Sequence, residues 1–409
     1  MTGPINPSEE FVFTVCQKSF LSLWSYANPR GKKNKELCDI LVVCDPDIII
    51  FSVKEIAKNE SGDASIDLDR WRKRAIDDSV KQIYGAERWI STANHVVKND
   101  GTEGLPFPAK GKRKIHRVAV ALGSDCNTSL HFGDFGKGFV HVCNEVSFSI
   151  IMEELDTISD FIRYLSLKEQ RYGIGTKIIQ KCREEDVLAI YLHHGKEFHA
   201  NFDTELNYQD HYFKFKSKPE VIAKKNADDI SYVWDNILSI LCDDILRGHI
   251  EFGPTLNDSE IALRIMARED RFNRRMLGKS FYDFYELAKR KKVRSRIALG
   301  MSDVTYVFLA LPQGEDRKYR VAELGGRCFV ARGIHQDRKT VIGLATERYE
   351  EGKGFSFDIM YLHMPVWRKE DQTQMEYAQK EFGFFATPQS LAVHEDEYPS
   401  VEPPSKIIP

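Results

Sequence analysis

ELCDILVVCDPDIIIFSVKE, residues 36–55, is the stretch whose reading decides the fold of the N-terminal region. Ile40 to Cys44 is an apolar run, Asp45-Pro46-Asp47 punctuates it, and Ile48 to Val53 is a second run rich in β-branched residues. Two such runs around a turn signal predict an antiparallel hairpin. Asp39 opens the first strand, and Lys54 closes the second, two residues after Ser52. With so short a turn the open ends of the two strands lie side by side. Side chains two apart share a face, so Ser52 and Lys54 point the same way. A carboxylate and an ammonium at one end of a buried hairpin are either a metal-and-lysine site or a structural salt bridge.

The flanking segments read as helices. Ser8 is placed to cap the apolar stretch Phe11 to Trp24, with Glu9 and Glu10 in its first turn. Phe11, Val15, Phe20 and Leu23 recur at near-helical spacing. Asp67 to Ile90 reads as a long helix with Trp71, Ala75, Val80, Ile83, Ala86 and Ile90 as its apolar points, and it carries Gln82 and Tyr84. Helix, hairpin, helix with these polar residues resembles the restriction-endonuclease-like PD-(D/E)xK nucleases over residues 8–98. The resemblance matches Asp39 to the family's Asp and Lys54 to its Lys, and it departs from the pattern at Ser52, where the family has an acid. It implies an α/β N-terminal domain, a mixed sheet flanked by helices, that hydrolyses phosphodiester bonds. Asp39, Glu10 (with Glu9 second) and the backbone carbonyl of Val53 are then the expected ligands of Mg²⁺ or Mn²⁺, and Gln82 faces the site. Lys54 orients the attacking water. Hard oxygen donors favour these ions over zinc. Without the resemblance, Glu10 is a first-turn acid favoured by the helix dipole and Gln82 a solvated helix residue.

The chain has 409 residues, too many for one typical core, with 42% hydrophobic and 29% charged residues. No apolar run approaches the ~20 residues that cross a bilayer, and MTGPINPSEE lacks the regions of a signal peptide. The expected location is cytoplasmic. Cysteines 16, 38, 44, 126, 143, 182, 242 and 328 are scattered and form no CxxC pair, which predicts buried thiols. His193, His194 and His199 cluster without the Cys or acid spacing of a metal site.

A net charge of −3 excludes a generic polycation, so local charge matters more. Arg30, Lys32, Lys33 and Lys35 precede Asp39 directly and are the expected phosphate contacts beside the site. Other basic runs are KGKRKIHR (110–117) and KRKKVRSR (289–296). After the capping signal Asn257-Asp258-Ser259-Glu260, residues Arg264, Arg268, Arg271 and Arg275 fall 4, 3 and 4 apart and predict one stripe along a helix. Such a stripe suits backbone phosphates or salt bridges to Glu260, Glu269 and Asp270.

Residues 99–114, with three glycines and two prolines, read as a linker between a nuclease-like domain at 1–98 and a larger α+β region at 115–386. In the latter, strands are expected at 115–122, 138–143 and 187–193, and helices at 148–169 and 230–246. Short antiparallel strands are expected at 304–311, 319–322, 328–331, 340–345 and 355–362, with Leu324-Gly325-Gly326-Arg327 as a turn. Residues 387–409 read as a flexible tail. No phosphate-binding GxxxxGK[ST] loop is present. The expected function is a metal-dependent nuclease acting on nucleic acid, DNA before RNA, with the C-terminal region governing substrate choice, assembly or regulation. A homo-oligomer or partner subunit is compatible with it, and a membrane is not expected. By analogy such chains resemble prokaryotic antiviral defence or restriction effectors. The competing expectation is a catalytically weakened nucleic-acid-binding or assembly subunit, for which Ser52 is the reason.

Overall fold

The computed structural model describes residues 6–57, 63–123, 130–173, 177–179, 183–198, 210–249, 256–300, 302–387 and 393–400. It divides into two compact units, Met1–Val221 with Ile245–Asn257, and Ile222–Asp244 with Asp258–Pro409. Among the described residues no helix is long and apolar enough to cross a membrane.

In the first unit the strands are β1 (Ser25–Ala27), β2 (Ile40–Cys44), β3 (Asp47–Glu55), β4 (His95–Val97), β5 (Glu103–Pro106), β6 (Lys114–Leu122), β7 (His131–Asp134), β8 (Phe139–Cys143) and β9 (Lys177–Ile179). Seven of them form a mixed sheet in the order β1-β2-β3-β6-β8-β7-β9, and β4 pairs with β5. The expected hairpin is its centre: β2 and β3 are antiparallel with Ile40 opposite Phe51, and only Asp45 and Pro46 lie between them. β3 then pairs with β6 in parallel, Ser52 opposite Ala119. That pairing corrects the expected domain boundary. Residues 99–114 contain β5 and lead into a central strand of the sheet that carries Asp39, so they lie inside the first unit.

Register sorts the hairpin into two faces. Phe51 lies on one, within 6.5 Å of Phe20 and near Phe148 and Phe161. These come from α1 (Pro7–Phe20), α4 (Glu145–Glu154) and α5 (Ile158–Tyr172). Leu41, Val43, Ile48 and Ile50 lie on the other face, under Trp71, Ala75, Val80, Ile83 and Ile90. The latter belong to one continuous helical run: α2 (Ala64–Arg72), a π-helical turn Lys73–Asp77, and α3 (Asp78–Ile90). Ser52 and Lys54 share this second face with α3.

The helix expected at 148–169 is α4 and α5, divided where Thr157 caps α5 by accepting from the Asp160 N–H at 3.1 Å. The strand expected at 187–193 is instead helix α6 (Glu184–His193), buried from Glu184 to Leu192. A helix buried on all sides carries no polar face, and its apolar run looks like a strand. The remaining helices up to the second unit are α7 (His211–Lys216) and α8 (Pro219–Asp228). Cysteines 16, 38, 44, 143, 242 and 328 are buried and form no disulfide; positions 126 and 182 lie outside the described residues.

His141 of β8 is 1% exposed, and neither ring nitrogen has a hydrogen-bond partner among the described residues. Burial first, then Lys168, His116 and Arg117, push its pKa well below the ordinary value. A depressed histidine contributes stability that is present above about pH 6.5 and is lost as pH falls below it. His141→Leu is therefore expected to flatten the decline in urea stability between pH 7.5 and pH 5. An equally steep decline in the variant would place acid sensitivity elsewhere.

The second unit holds α9 (Tyr232–Leu246, to Asp244), α10 (Leu256–Ala267, from Asp258), α11 (Arg271–Lys289), α12 (Arg317–Ile334) and α13 (Lys369–Phe382). Its sheet is β10 (Ser295–Leu299), β11 (Val304–Leu311), β12 (Thr340–Glu347) and β13 (Phe357–His363), in that order. The sheet is mixed, because β11 and β12 run parallel with α12 between them in sequence. The two strands expected at 319–322 and 328–331 are both part of α12, whose Leu324, Cys328 and Ala331 pack on Val307, Leu309 and Val341 at helical spacing. Gly326 is no turn residue: a Cβ there would lie 2.6 Å from Phe384 Cε2, so the glycine admits the ring against the helix.

Candidate functional site

Asp39 immediately precedes β2 and is 1% exposed. Its Oδ2 accepts from the Val53 N–H at 2.5 Å, and its Oδ1 accepts from Gln82 Nε2 at 3.1 Å. Ser52 Oγ donates to Gln82 Oε1 at 2.8 Å. The serine thereby fixes the amide with its NH₂ toward the carboxylate. Lys54 Nζ lies 3.9 Å from Asp39 Oδ2, with a third of its side chain exposed. A charge-assisted bond between such groups closes to about 2.8 Å. At 3.9 Å the two groups form a long ion pair, and the part-exposed ammonium keeps donors free of a close bond to Asp39.

The acids are not where the family pattern puts them. α1 starts at Pro7, with Asn6 rather than Ser8 as its cap, accepting from the Glu9 N–H at 2.9 Å. The inward stripe of α1 is Glu9, Val12, Cys16 and Phe20, so Glu9 is buried while Glu10 is exposed. Glu10 is therefore corrected to Glu9 as the inward acid. Glu36, off-phase for a regular strand, precedes β2 and is not bound by strand alternation. Its Oε1 lies 3.5 Å from Gln82 Nε2. Although Glu36 is exposed as a residue, its carboxyl is partly withdrawn from water. That desolvation, a hydrogen bond to Asp39, and repulsion from Asp39 and Glu9 push its pKa up to about 7 against the opposing pull of Lys54. Glu55 is engaged by Ser8 Oγ instead.

Glu36 is the residue sequence reasoning missed. The available signal was its place three residues before Asp39 at the hairpin's open end. Its raised pKa gives a sign: the folded chain holds a proton that the unfolded chain releases near pH 4.5, so this contribution to stability is lost as pH rises through about 7. Glu36→Gln is expected to raise Tm by about 2 °C at pH 8, a figure discounted for solvent screening, and to change nothing at pH 5. A variant that melts lower at pH 8 would show that the carboxylate is held by partners rather than repelled.

The phosphate contacts expected from the two basic groups divide. Lys32, Lys33 and Lys35 are exposed around a 3₁₀ turn. Arg30 is half-buried, its Nε donates to Asn99 O at 3.2 Å, and its backbone bridges to Glu36 and Val97. The arginine stripe is corrected. α10 ends at Ala267, so Arg264 and Arg268 are not continuous with Arg271 and Arg275 on α11. Arg264 lies 3.5 Å from Glu260. Arg271 and Arg275 are buried, the first on Asp235 at 2.7 Å and the second on Asp228 at 3.2 Å. Arg275 also donates to the carbonyls of Asp396 and Glu397, so residues 393–400 of the expected flexible tail include a stretch fixed to α11. His194 Nδ1 lies 2.8 Å from Ile190 O and His193 Nδ1 3.1 Å from Lys218 Nζ, while His199 falls outside the described residues.

Among the described residues no three His, Cys, Asp or Glu side chains form a group that could hold a metal ion. Mg²⁺ does not require three such side chains, because it keeps several waters and is held by one or two carboxylates and substrate phosphates. The donors here are oxygen only: Asp39, Glu36 and the Val53 carbonyl, which points to the same strand edge as the N–H that reaches Asp39. The repulsion from Asp39 that helps to raise the Glu36 pKa is the kind that a hard cation between carboxylates relieves. No protein-family model, curated protein or solved structure matches the chain.

Proposed function

We propose that the first unit is a metal-dependent phosphodiester hydrolase of the restriction-endonuclease-like kind, acting on nucleic acid, with DNA as its expected substrate. The observation that carries this reading is the convergence of Asp39 and Lys54 at neighbouring strand ends of one hairpin, with Gln82 of α3 joining Asp39 to Ser52. Asp39, Glu36 and the Val53 carbonyl would hold Mg²⁺ or Mn²⁺, which supplies a Lewis acid for the phosphate and a more acidic bound water. Lys54 orients the attacking water and offsets the charge that develops on the phosphate oxygens. Ser52 and Gln82 fix the direction of the Asp39 carboxylate, and Lys32, Lys33 and Lys35 hold the backbone beside it.

The test is incubation of plasmid, linear duplex and RNA with the protein in Mg²⁺, Mn²⁺ or EDTA, beside Lys54→Ala. Ion-dependent cutting that disappears in the variant supports the reading. Ser52 favours a second one: its hydroxyl is committed to Gln82, so the position that carries an acid in the family supplies no charge here. A weakened site would bind DNA with unchanged affinity in Lys54→Ala and cut it with neither ion.

A further inference from the structure

KRKKVRSR, residues 289–296, takes no part in the site above. α11 ends within it: Lys289 is the last helical residue and Arg290 the cap. Lys291 follows with φ 56°, its N–H donating to Ala288 O at 2.9 Å, while the Lys292 N–H donates to Leu287 O at 3.0 Å. This paired termination ordinarily places glycine at the left-handed position, because an L side chain is strained there. The helix dipole accounts for cations in the last turn. It gives no reason for lysine at the strained position, nor for a further one beyond it.

Lys289, Arg290, Lys291, Lys292 and Arg294 are all exposed. Among the described residues Lys289, Lys291 and Lys292 have no carboxylate within ion-pair distance, and Arg290 has only Glu286 at 3.7 Å. Two exposed aromatic rings accompany them. The Lys289 ammonium sits 4.4 Å from the centroid of Tyr349, which is 50% exposed. Arg294, held by Glu323 at 2.8 Å, lies 5.9 Å from the ring of Tyr319, which is 47% exposed. A cation lies over each ring while about half of the residue remains open to solvent. In a chain of net charge −3 this concentration is local.

We propose that this surface binds single-stranded nucleic acid, with Lys289 to Lys292 on the phosphodiester backbone and Tyr349 and Tyr319 stacking on bases. Uncompensated cations track phosphates, and tyrosine faces accept any base. A lipid surface would call for an amphipathic helix with Trp, Phe or Leu opposite the charges, and an acidic peptide would leave the rings without a role. The choice of nucleic acid rests on the proposed function, but binding is measured without cleavage, so each can fail alone.

The experiment is fluorescence anisotropy of the full chain in EDTA with a labelled thymidine strand and a duplex, both of about 20 nucleotides, between about 50 and 200 mM salt. Replacing Lys289, Arg290, Lys291 and Lys292 with Gln is expected to weaken single-strand binding at least tenfold. It should flatten the log–log salt slope by about 0.7 per lost contact. Tyr349→Ala should cost about tenfold with the slope unchanged. Lys291→Gly separates binding from folding, since it should raise Tm by about 2 °C while weakening binding. Unchanged affinity and slope in the fourfold variant overturn the proposal. So does transfer of the effect from the oligonucleotide to phosphatidylserine vesicles, or duplex binding that is equally tight and indifferent to Tyr349→Ala.

Discussion

Asp39→Ala is expected to remove DNA cleavage, by about 10³-fold or more, because it deletes the one carboxylate that every element of the site serves. The same change leaves the Val53 N–H and the Gln82 amide without their acceptor at a buried position. A loss of about 1–3 kcal/mol in urea stability should therefore accompany it. Asp39→Asn separates the two effects, since it keeps the volume and an acceptor but loses the charge. Lys54→Ala should lower kcat by about 10²–10³-fold with metal affinity retained, because the Val53 N–H and the Gln82 amide still hold the Asp39 carboxylate. Ser52→Ala and Gln82→Ala act through Asp39 and should each cost about 10–100-fold, with Ser52→Ala milder than Asp39→Ala. Glu10→Gln, at an exposed position, should change nothing, whereas Glu36→Gln should weaken Mn²⁺ binding measured by calorimetry. Equal losses from Ser52→Ala and Asp39→Ala would give the serine a direct part. Full activity of Lys54→Ala would end the nuclease reading.

What could be read in advance follows from the range of the interactions involved. The hairpin was legible because two apolar, β-branched runs and a turn signal all lie within 20 residues, and the sharing of one face by Ser52 and Lys54 followed from the two-residue alternation of any strand. Gln82 was legible only through the resemblance, since its position in the helix alone reads as solvated. Glu36 was not, because a residue in the segment before a strand obeys no periodicity. The extent of the first unit was hidden for another reason. The β3–β6 pairing joins residues far apart in sequence, and nothing local in the Gly- and Pro-rich segment between them encodes a partner. α12 was misread as two strands because Gly325 and Gly326 punctuate its middle, where the close approach of Phe384 calls for a small residue. The arginine stripe had the right spacing in the chain but spans a helix break. Its partners Asp228 and Asp235 come from a segment about 40 residues earlier.

Asp235→Ala is accordingly expected to be among the most destabilising single changes in the second unit. One carboxylate takes Arg271 Nη1 on Oδ2 and Arg274 Nη1 on Oδ1, both at 2.7 Å, and both arginines are buried. Arg274 is further committed to the Glu269 and Ala267 carbonyls. It therefore cannot swing out to water without breaking the capping end of α10. Removing the acid strands two desolvated guanidinium groups, and breaking a buried pair from one side costs about 3–5 kcal/mol. Replacing Arg271 and Arg275 with Gln should likewise lower the melting temperature, and it should leave the salt slope of DNA binding unchanged, because buried and paired guanidinium groups release no counterions from a phosphate backbone. The contrast with the exposed lysines at 289–292 is the decisive comparison, since those should move the slope and spare the stability. A flattened slope in the arginine variant at unchanged melting temperature would return the stripe to the phosphate backbone and require the Asp228 and Asp235 pairs to open in solution.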